Sequence, residues 1–244
     1  MNRGISAAAE GMRANQLMLD VLSNNIANQS TVGFKADGIA FRETLESRLS
    51  VRNGRFERPI GEASLGGAKP VQFTIDSVGP IVATGNPMDL ALRNADQYFA
   101  VSTPQGIRYT RDGGIRPNTQ GVLVTRDGYP VLDASGSPIT LTGASGVKIE
   151  FTPNGAVLEN GVEIGLLDIR EGDATKVGSN LWAGNLSQAT TPSIEVGALE
   201  SSNVSVLEAL VQMISIMRQF ESAQKAIHSQ DEMTGQLIQS LATR

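Results

Sequence analysis

The stretch SVLEALVQMISIMRQFESAQKAIHSQDEMTGQLIQSL, residues 205–241, decides the fold class. Ser205 followed three residues later by Glu208 has the form of a capping box, in which each side chain bonds a first-turn backbone N–H that the helix leaves without a partner. A helix is therefore predicted from that point. Val206, Leu210, Met213, Met217, Phe220, Gln224 and Ile227 fall on alternating three- and four-residue steps, and the same register reaches Ile238 and Leu241. At about 1.5 Å per residue such a helix measures on the order of 55 to 60 Å, more than the width of a small domain. A second stripe, Val204, Leu207, Val211 and Ile214, runs beside the first. At ~100° per residue, the two stripes together make an apolar face of roughly 220°. A single partner helix cannot cover that width. The polar remainder is a narrow wedge of Ser205, Glu208, Gln212, Ser215 and Gln219, so the helix is expected to touch its own N-terminal helix on one side and another subunit on the other.

The N-terminal segment supplies the matching stripe. Ile5, Ala8, Met12, Leu19, Leu22 and Ile26 keep the same spacing, with polar Asn15 at the one remaining seam position. Between the two ends the composition changes. From about 71 to 200 the chain is dense in Asp112-Gly113, Asp127-Gly128, Asn154-Gly155 and Asn160-Gly161, dipeptides that favour the positive φ of tight hairpin turns. The clearest hairpin is AVLE, Asn160-Gly161, VEIGLLDI; Leu123, Val124, Val131 and Leu132 suggest another around Asp127-Gly128. The expected fold class is α+β: long N- and C-terminal helices packed as a coiled coil, with a central antiparallel β-rich domain. Residues 36–70, with RLSVRNGRFERP and GEASLGGAKP, show no sustained periodicity and read as an extended linker. The chain thus divides into an N-terminal helix with its exit (1–35), the linker (36–70), the β-rich domain (71–200) and the C-terminal helix (201–244).

Composition narrows the function classes. A net charge of −5 gives no basic footprint for nucleic acid. The most apolar run, around Val204 to Met217, is interrupted by Ser205, Glu208, Gln212 and Ser215, so no membrane insertion is expected. The start, MNRGISAAAEGMRANQ, has no apolar core before a small-residue cleavage site, which predicts that no signal peptide is cleaved. Without cysteine there is no disulfide or thiolate metal site. The single histidine, His228, lies within the C-terminal helix, and no phosphate-binding loop, nucleophile elbow or dinucleotide fingerprint follows a predicted strand. Glu171 with Asp173 reads as exposed turn chemistry, and DIREGD lacks the ligand spacing of a calcium loop. No catalytic residue, cofactor site or metal site is expected.

Residues 22–35, LSNNIANQSTVGFK, carry a more specific signal. Ser23, Asn24, Asn25, Ile26, Ala27 and Asn28, followed by Thr31, Gly33, Phe34 and Lys35, resemble the signature of the flagellar rod and hook family of axial proteins. Physically, the Asn-rich run favours local side-chain-to-backbone bonds that end the helix near Asn28, Gly33 permits a turn, and Phe34 can anchor the departing chain. LESSNVSVLEALVQMISIMRQFESAQKAI is similar to the family's C-terminal motif through Ser202, Asn203 and Val204, then Met213, Ile214, Arg218, Phe220, Glu221 and Lys225. TGNPMDLAL and YTRDGGIRPNTQGVLVTRDGYPVL resemble its central segment. One departure is Asn94-Ala95-Asp96-Gln97-Tyr98-Phe99, where many relatives carry Gly-x-Gly-[FY]-[FL]; a local difference in conformation or contacts is expected there.

The resemblance implies a structural protein exported by the flagellar type III apparatus and polymerised in the periplasmic rod of the basal body; the alternative outside the family is a cytoplasmic coiled-coil adaptor with a β binding module. Its implied partners are copies of itself and other flagellar rod proteins. The candidate assembly residues are Ile5, Met12, Leu19, Leu22 and Ile26 from the first helix, and Val206, Leu207, Leu210, Val211, Met213, Ile214, Met217, Phe220 and Ile227 from the second.

Overall fold

The computed structural model describes residues 3–44, 48–53, 56–62, 67–143, 147–178 and 180–242. Two helices bracket the chain: α1 (Arg3–Ala27) and α2 (Val206–Ala242). Between them run, in order, β1 (Asp37–Thr44), β2 (Arg48–Asn53), β3 (Phe56–Glu62), β4 (Gly67–Thr74), β5 (Ile81–Ala83), β6 (Leu90–Leu92), β7 (Gln97–Thr103), β8 (Gly106–Thr110), β9 (Arg116–Pro117) and β10 (Leu123–Val124). The second half holds β11 (Ile149–Phe151), β12 (Ala156–Glu159), β13 (Val162–Leu166), β14 (Ile169–Glu171), β15 (Thr175–Lys176), β16 (Trp182–Ala183), β17 (Ser187–Gln188), β18 (Ile194–Val196) and β19 (Ala198–Glu200). The α+β class and the β-rich centre follow the sequence reading. Two compact units result. One takes most of α1, the segment Asp37–Phe73 and α2; the other is Asn25–Ala36 with Thr74–Ser205.

The segment 36–70 is not an extended linker. It carries β1 to β4, with β2 paired antiparallel to β3 and β1 paired to β4. Leu49 and Val51 alternate with Arg48, Ser50 and Arg52, and Asn53-Gly54 stands between the two runs, so a period of two was present over a short span. A β-ladder needs only backbone groups and a compatible register, not a long apolar pattern. The register slips between Leu49 and Ser50, next to the partner Pro59, which has no N–H to give the ladder.

In the second unit three of the four turn dipeptides act as expected. Asn160 (φ 51°) and Gly161 (φ 82°) close the β12–β13 hairpin, with Glu159 opposite Val162. Gly155 (φ 89°) turns between β11 and β12, where the Thr152 N–H donates to the Ala156 carbonyl at 3.0 Å. At Asp127-Gly128 the chain doubles back so that the Val131 N–H donates to the Leu123 carbonyl at 2.9 Å. Asp112-Gly113 is different. The Gly113 carbonyl accepts from the Leu90 N–H at 3.0 Å, and a side chain at 113 would collide with the Leu90 carbonyl, so this glycine serves a close crossing rather than a hairpin.

The largest sheet has six strands in the order β15-β16-β8-β7-β14-β17. Its central strand β7 is covered on both faces, which the period-two alternation turns into two clusters. Phe99 and Val101 join the main apolar core with Leu90, Leu123, Val131 and Val157. Tyr98 faces the other way and packs on Trp182, ring centroids 5.4 Å apart and tilted by 47°, with Leu186 beside them. Trp182 is the single tryptophan of the chain and is buried, so its fluorescence reports on this unit. Leu123→Ala, which removes a fully buried side chain, should lower stability by about 2–5 kcal/mol in urea unfolding followed by that fluorescence. Val162→Ala, at an exposed position, should change it by less than ~0.5 kcal/mol. Equal midpoints for the two variants would mean that Leu123 is not core.

Candidate assembly interface

The helix α2 begins at Val206, as the sequence predicts, but the capping box is not closed: Glu208 accepts from the Gln212 side-chain amide at 3.4 Å instead of reaching back to Ser205. Its carboxylate still lies in the first turn, where the helix dipole favours negative charge. Burial along the helix is periodic. Val206, Ala209, Met213, Ile216, Phe220, Ala223, Ile227 and Gln230 are buried or half-buried, at steps of three and four, and every other residue from 207 to 236 is exposed.

This corrects half of the expected seam. Val206, Met213, Phe220 and Ile227 are on it, whereas Leu210, Met217 and Gln224 are exposed and their places are taken by Ala209, Ile216 and Ala223. Both series lie on heptad spacing from the same anchors; Leu210 outweighed Ala209 and Ala223 carried no signal, whereas Ile216 and Met217 are both large, so size did not separate them. The consequence is a second apolar stripe left bare. Leu207 is 76% exposed and Ile214 53%, with Leu210, Val211 and Met217 exposed alongside, while Ile216 on the covered side is 5% exposed. Arg218 and Glu221 are exposed near its far end.

On α1 the expected stripe is covered: Met12, Leu19 and Ile26 are half-buried and Leu22 buried. The side chain of Ile5, like those of Ile238 and Leu241, lies outside the described residues. A second row, Ala14, Met18, Val21 and Asn25, is covered as well, and Ser23, Asn24 and Ala27 are exposed.

The two motif runs converge on a buried ionic junction. Past Ala27 the Asn-rich run continues as turns, with the Thr31 hydroxyl donating to the half-buried Asn28 side chain at 3.2 Å. Gly33 then takes φ 69°, and a Cβ there would lie 2.6 Å from the Arg111 carbonyl carbon, so both the conformation and the space demand glycine. Phe34 is buried beneath the Lys176 ammonium, 3.9 Å from its ring centroid. Beside it, Lys35 donates to Glu200 Oε1 and to the Ser77 carbonyl, each at 2.6 Å. Arg111 Nε donates to Glu200 Oε2 at 2.8 Å. Its Nη1 donates to the carbonyls of Asn94, Ala95 and Gln97 and its Nη2 to that of Leu92, at 2.6–3.0 Å. The departure at Asn94–Gln97 thus forms the cradle of this arginine.

All three charged side chains are buried. Burial and then the Arg111 charge push the Lys35 pKa below its ordinary value, against the pull of Glu200 and Asp76. Asn203, before α2, completes the junction: its side-chain oxygen accepts from the Ala36 N–H at 2.7 Å and its amide nitrogen donates to the carbonyls of Ile75 and Ser77 at 2.8 and 3.1 Å.

Sequence reasoning missed Lys35, Arg111 and Glu200 as a set. Glu200 stands 165 residues from Lys35 and 89 from Arg111, so no spacing rule joins them. The one available signal was that Lys35, Arg111 and Glu200 each sit inside a run that resembles the family. Among the described residues no group of three or more His, Cys, Asp or Glu could hold a metal ion, and no helix is long and apolar enough to cross a membrane. His228 is exposed on α2.

The two faces of α2 can be separated in the unassembled chain. Ile216→Asp should place an uncompensated charge on the covered side and lower thermal stability by about 2 kcal/mol or more, with loss of helical circular dichroism. Ile214→Asp should shift it by less than ~0.5 kcal/mol. A reversed order would exchange the two faces.

Three family models match in chain order. Residues 5–35 match the flagella basal body rod protein model, residues 94–164 the D1 domain of the flagellar hook protein FlgE/F/G, and residues 195–240 the C-terminal model of flagellar basal body rod FlgEFG proteins. Full-length relatives agree. The chain is 32% identical to the flagellar basal-body rod protein FlgF of Rhizobium meliloti, over 99% of this chain and 98% of that protein. It is 31% identical to FlgG of Bacillus subtilis, over 98% of each. A further relative, FlgG of Caulobacter vibrioides, is 30% identical over 95% of this chain and 96% of its own length. With both terminal motifs, the central segment and the whole length in agreement, the chain belongs to the family of flagellar basal-body rod proteins.

Proposed function

We propose that this protein is a structural subunit of the bacterial flagellar rod, polymerising through its terminal helices into the shaft that links motor to hook. The observation that carries the reading is the bare stripe of Leu207, Leu210, Val211, Ile214 and Met217 on a helix whose opposite face is already covered. Contiguous exposed apolar surface marks a docking face, and membership of a structural family supports further axial subunits as its occupants, either copies of this chain or other rod proteins.

In this reading α1 and α2 pack as a coiled coil. The α1 stripe that includes Met12, Leu19 and Leu22 meets the covered α2 series of Val206, Met213, Phe220 and Ile227. Subunits then join through the α2 stripe left over. Torque passes between close-packed apolar surfaces, which resist shear better than exposed ion pairs worth under ~1 kcal/mol each. Residence in the periplasmic part of the basal body, and delivery by the flagellar type III apparatus without signal cleavage, follow from the same resemblance.

Within the rod we favour the proximal position over the distal one. Relatives under the names FlgF and FlgG lie at almost the same distance, 32% and 31% identity, so the choice rests on the chain itself. Its short length and its Arg218-Gln219-Phe220-Glu221 run resemble the proximal member, whereas the Ser-Asn-Asn-Ile-Ala-Asn run at 23–28 also suits the distal one.

The test is a strain lacking this chain, complemented with wild type or with Val211→Asp/Ile214→Asp. Wild type should restore motility and full-length rods in electron micrographs of basal bodies. The double variant should be made and exported normally yet leave truncated rods. Normal rods from the variant would remove the α2 stripe from the interface, and intact flagella in the deletion strain would remove the rod assignment.

A further inference from the structure

Three stretches far apart in sequence, residues 33–36, 75–80 and 200–203, are joined to one another by a set of polar bonds. Glu200 receives Lys35 from the first stretch and the Gly79 N–H from the second, at 2.6 and 2.9 Å, both on Oε1. Its backbone carbonyl accepts from the Gly33 N–H at 2.8 Å. Lys35 returns to the second stretch through the Ser77 carbonyl at 2.6 Å. The Ser201 N–H donates to the Pro80 carbonyl at 2.8 Å, and Asn203 ties Ala36 to Ile75 and Ser77 with a single carboxamide. Each stretch is therefore bonded to both of the others. No residue of the three belongs to the main apolar cluster around Leu90, Phe99 and Leu123.

Two physical consequences follow. A buried ionic network half taken apart is worse than one fully formed or fully hydrated, because a stranded charge in a low-dielectric site keeps its desolvation penalty. Segments outside the main apolar cluster, tied down chiefly through polar bonds, open at lower free energy than that cluster. Taken together, the stretches should not fray singly.

We propose that Glu200, Lys35, Arg111 and Asn203 form a latch: the three stretches open and close as one cooperative unit while the apolar core stays folded. Arg111 is the fixed half, its guanidinium held by the carbonyls of Leu92, Asn94, Ala95 and Gln97. The moving half carries the chain out of α1, which ends at Ala27, and into α2, which begins at Val206. The chain segments that lead out of α1 and into α2 are accordingly fixed at one moment and freed at one moment.

Native-state hydrogen exchange with mass spectrometry on the full chain tests this. Lys35→Met removes one cation and leaves Glu200 paired with Arg111. Asn203→Asp keeps the acceptor for the Ala36 N–H but removes both donors. In each variant the amides of all three stretches should exchange faster together, by about tenfold or more, with those of β10 to β12 unchanged. Glu195→Gln, in the exposed pair with Arg93, should change none of them. Faster exchange confined to the stretch that carries the substitution, or spread evenly over the β-rich unit, would overturn the latch. Should Lys35→Met fail to fold, Asn203→Asp at its half-exposed position decides alone.

Discussion

One carboxylate shared by two buried cations is the interaction on which the rest of the architecture depends. Glu200 faces Lys35 on one oxygen and Arg111 on the other, with all three out of contact with water. Such an arrangement is poor evidence for net stability, since desolvation offsets most of the Coulomb attraction. Its structural consequence is that any alternative docking of these segments leaves a buried charge without its partner. The glycines at 33 and 79 serve the same end. Each lets backbone come so near its neighbour that a side chain would collide, with Arg111 in one case and with Ser201 in the other.

What could be read in advance from the sequence depended on whether the deciding interaction was local. Asn160-Gly161 specifies its own turn, since only residues tolerant of positive φ fit there, and the hairpin follows within a few residues. The end of α1 near Asn28 and the burial of Phe34 were legible for the same reason. The buried junction was not. Its members lie far apart in the chain, and a lysine or arginine in isolation reads as a solvated surface charge. The segment 36–70 failed differently: its period-two pattern is only a few residues long, and its pairings rest on main-chain groups that leave little trace in composition.

The α2 helix shows an intermediate case. Its apolar breadth was visible from periodicity alone, and its existence and start were too. Which of two overlapping heptad series is covered was not, because Ala209 and Ala223 are small enough to sit on a close-packed seam yet carry almost no hydrophobic signal. The larger Leu210 and Met217 are thereby left for the outside. Size misled at 209 and 223, where the covered series takes alanine between the larger Val206, Met213, Ile216, Phe220 and Ile227.

The six-stranded sheet ends on both sides in strands only two residues long, Thr175–Lys176 and Ser187–Gln188. A border that short offers almost no row of free amides and carbonyls for a neighbouring strand to zip onto. Among members of a structural family, whose copies meet at high local concentration, this sheet thus presents no long edge for strand-by-strand growth of the kind that builds fibres.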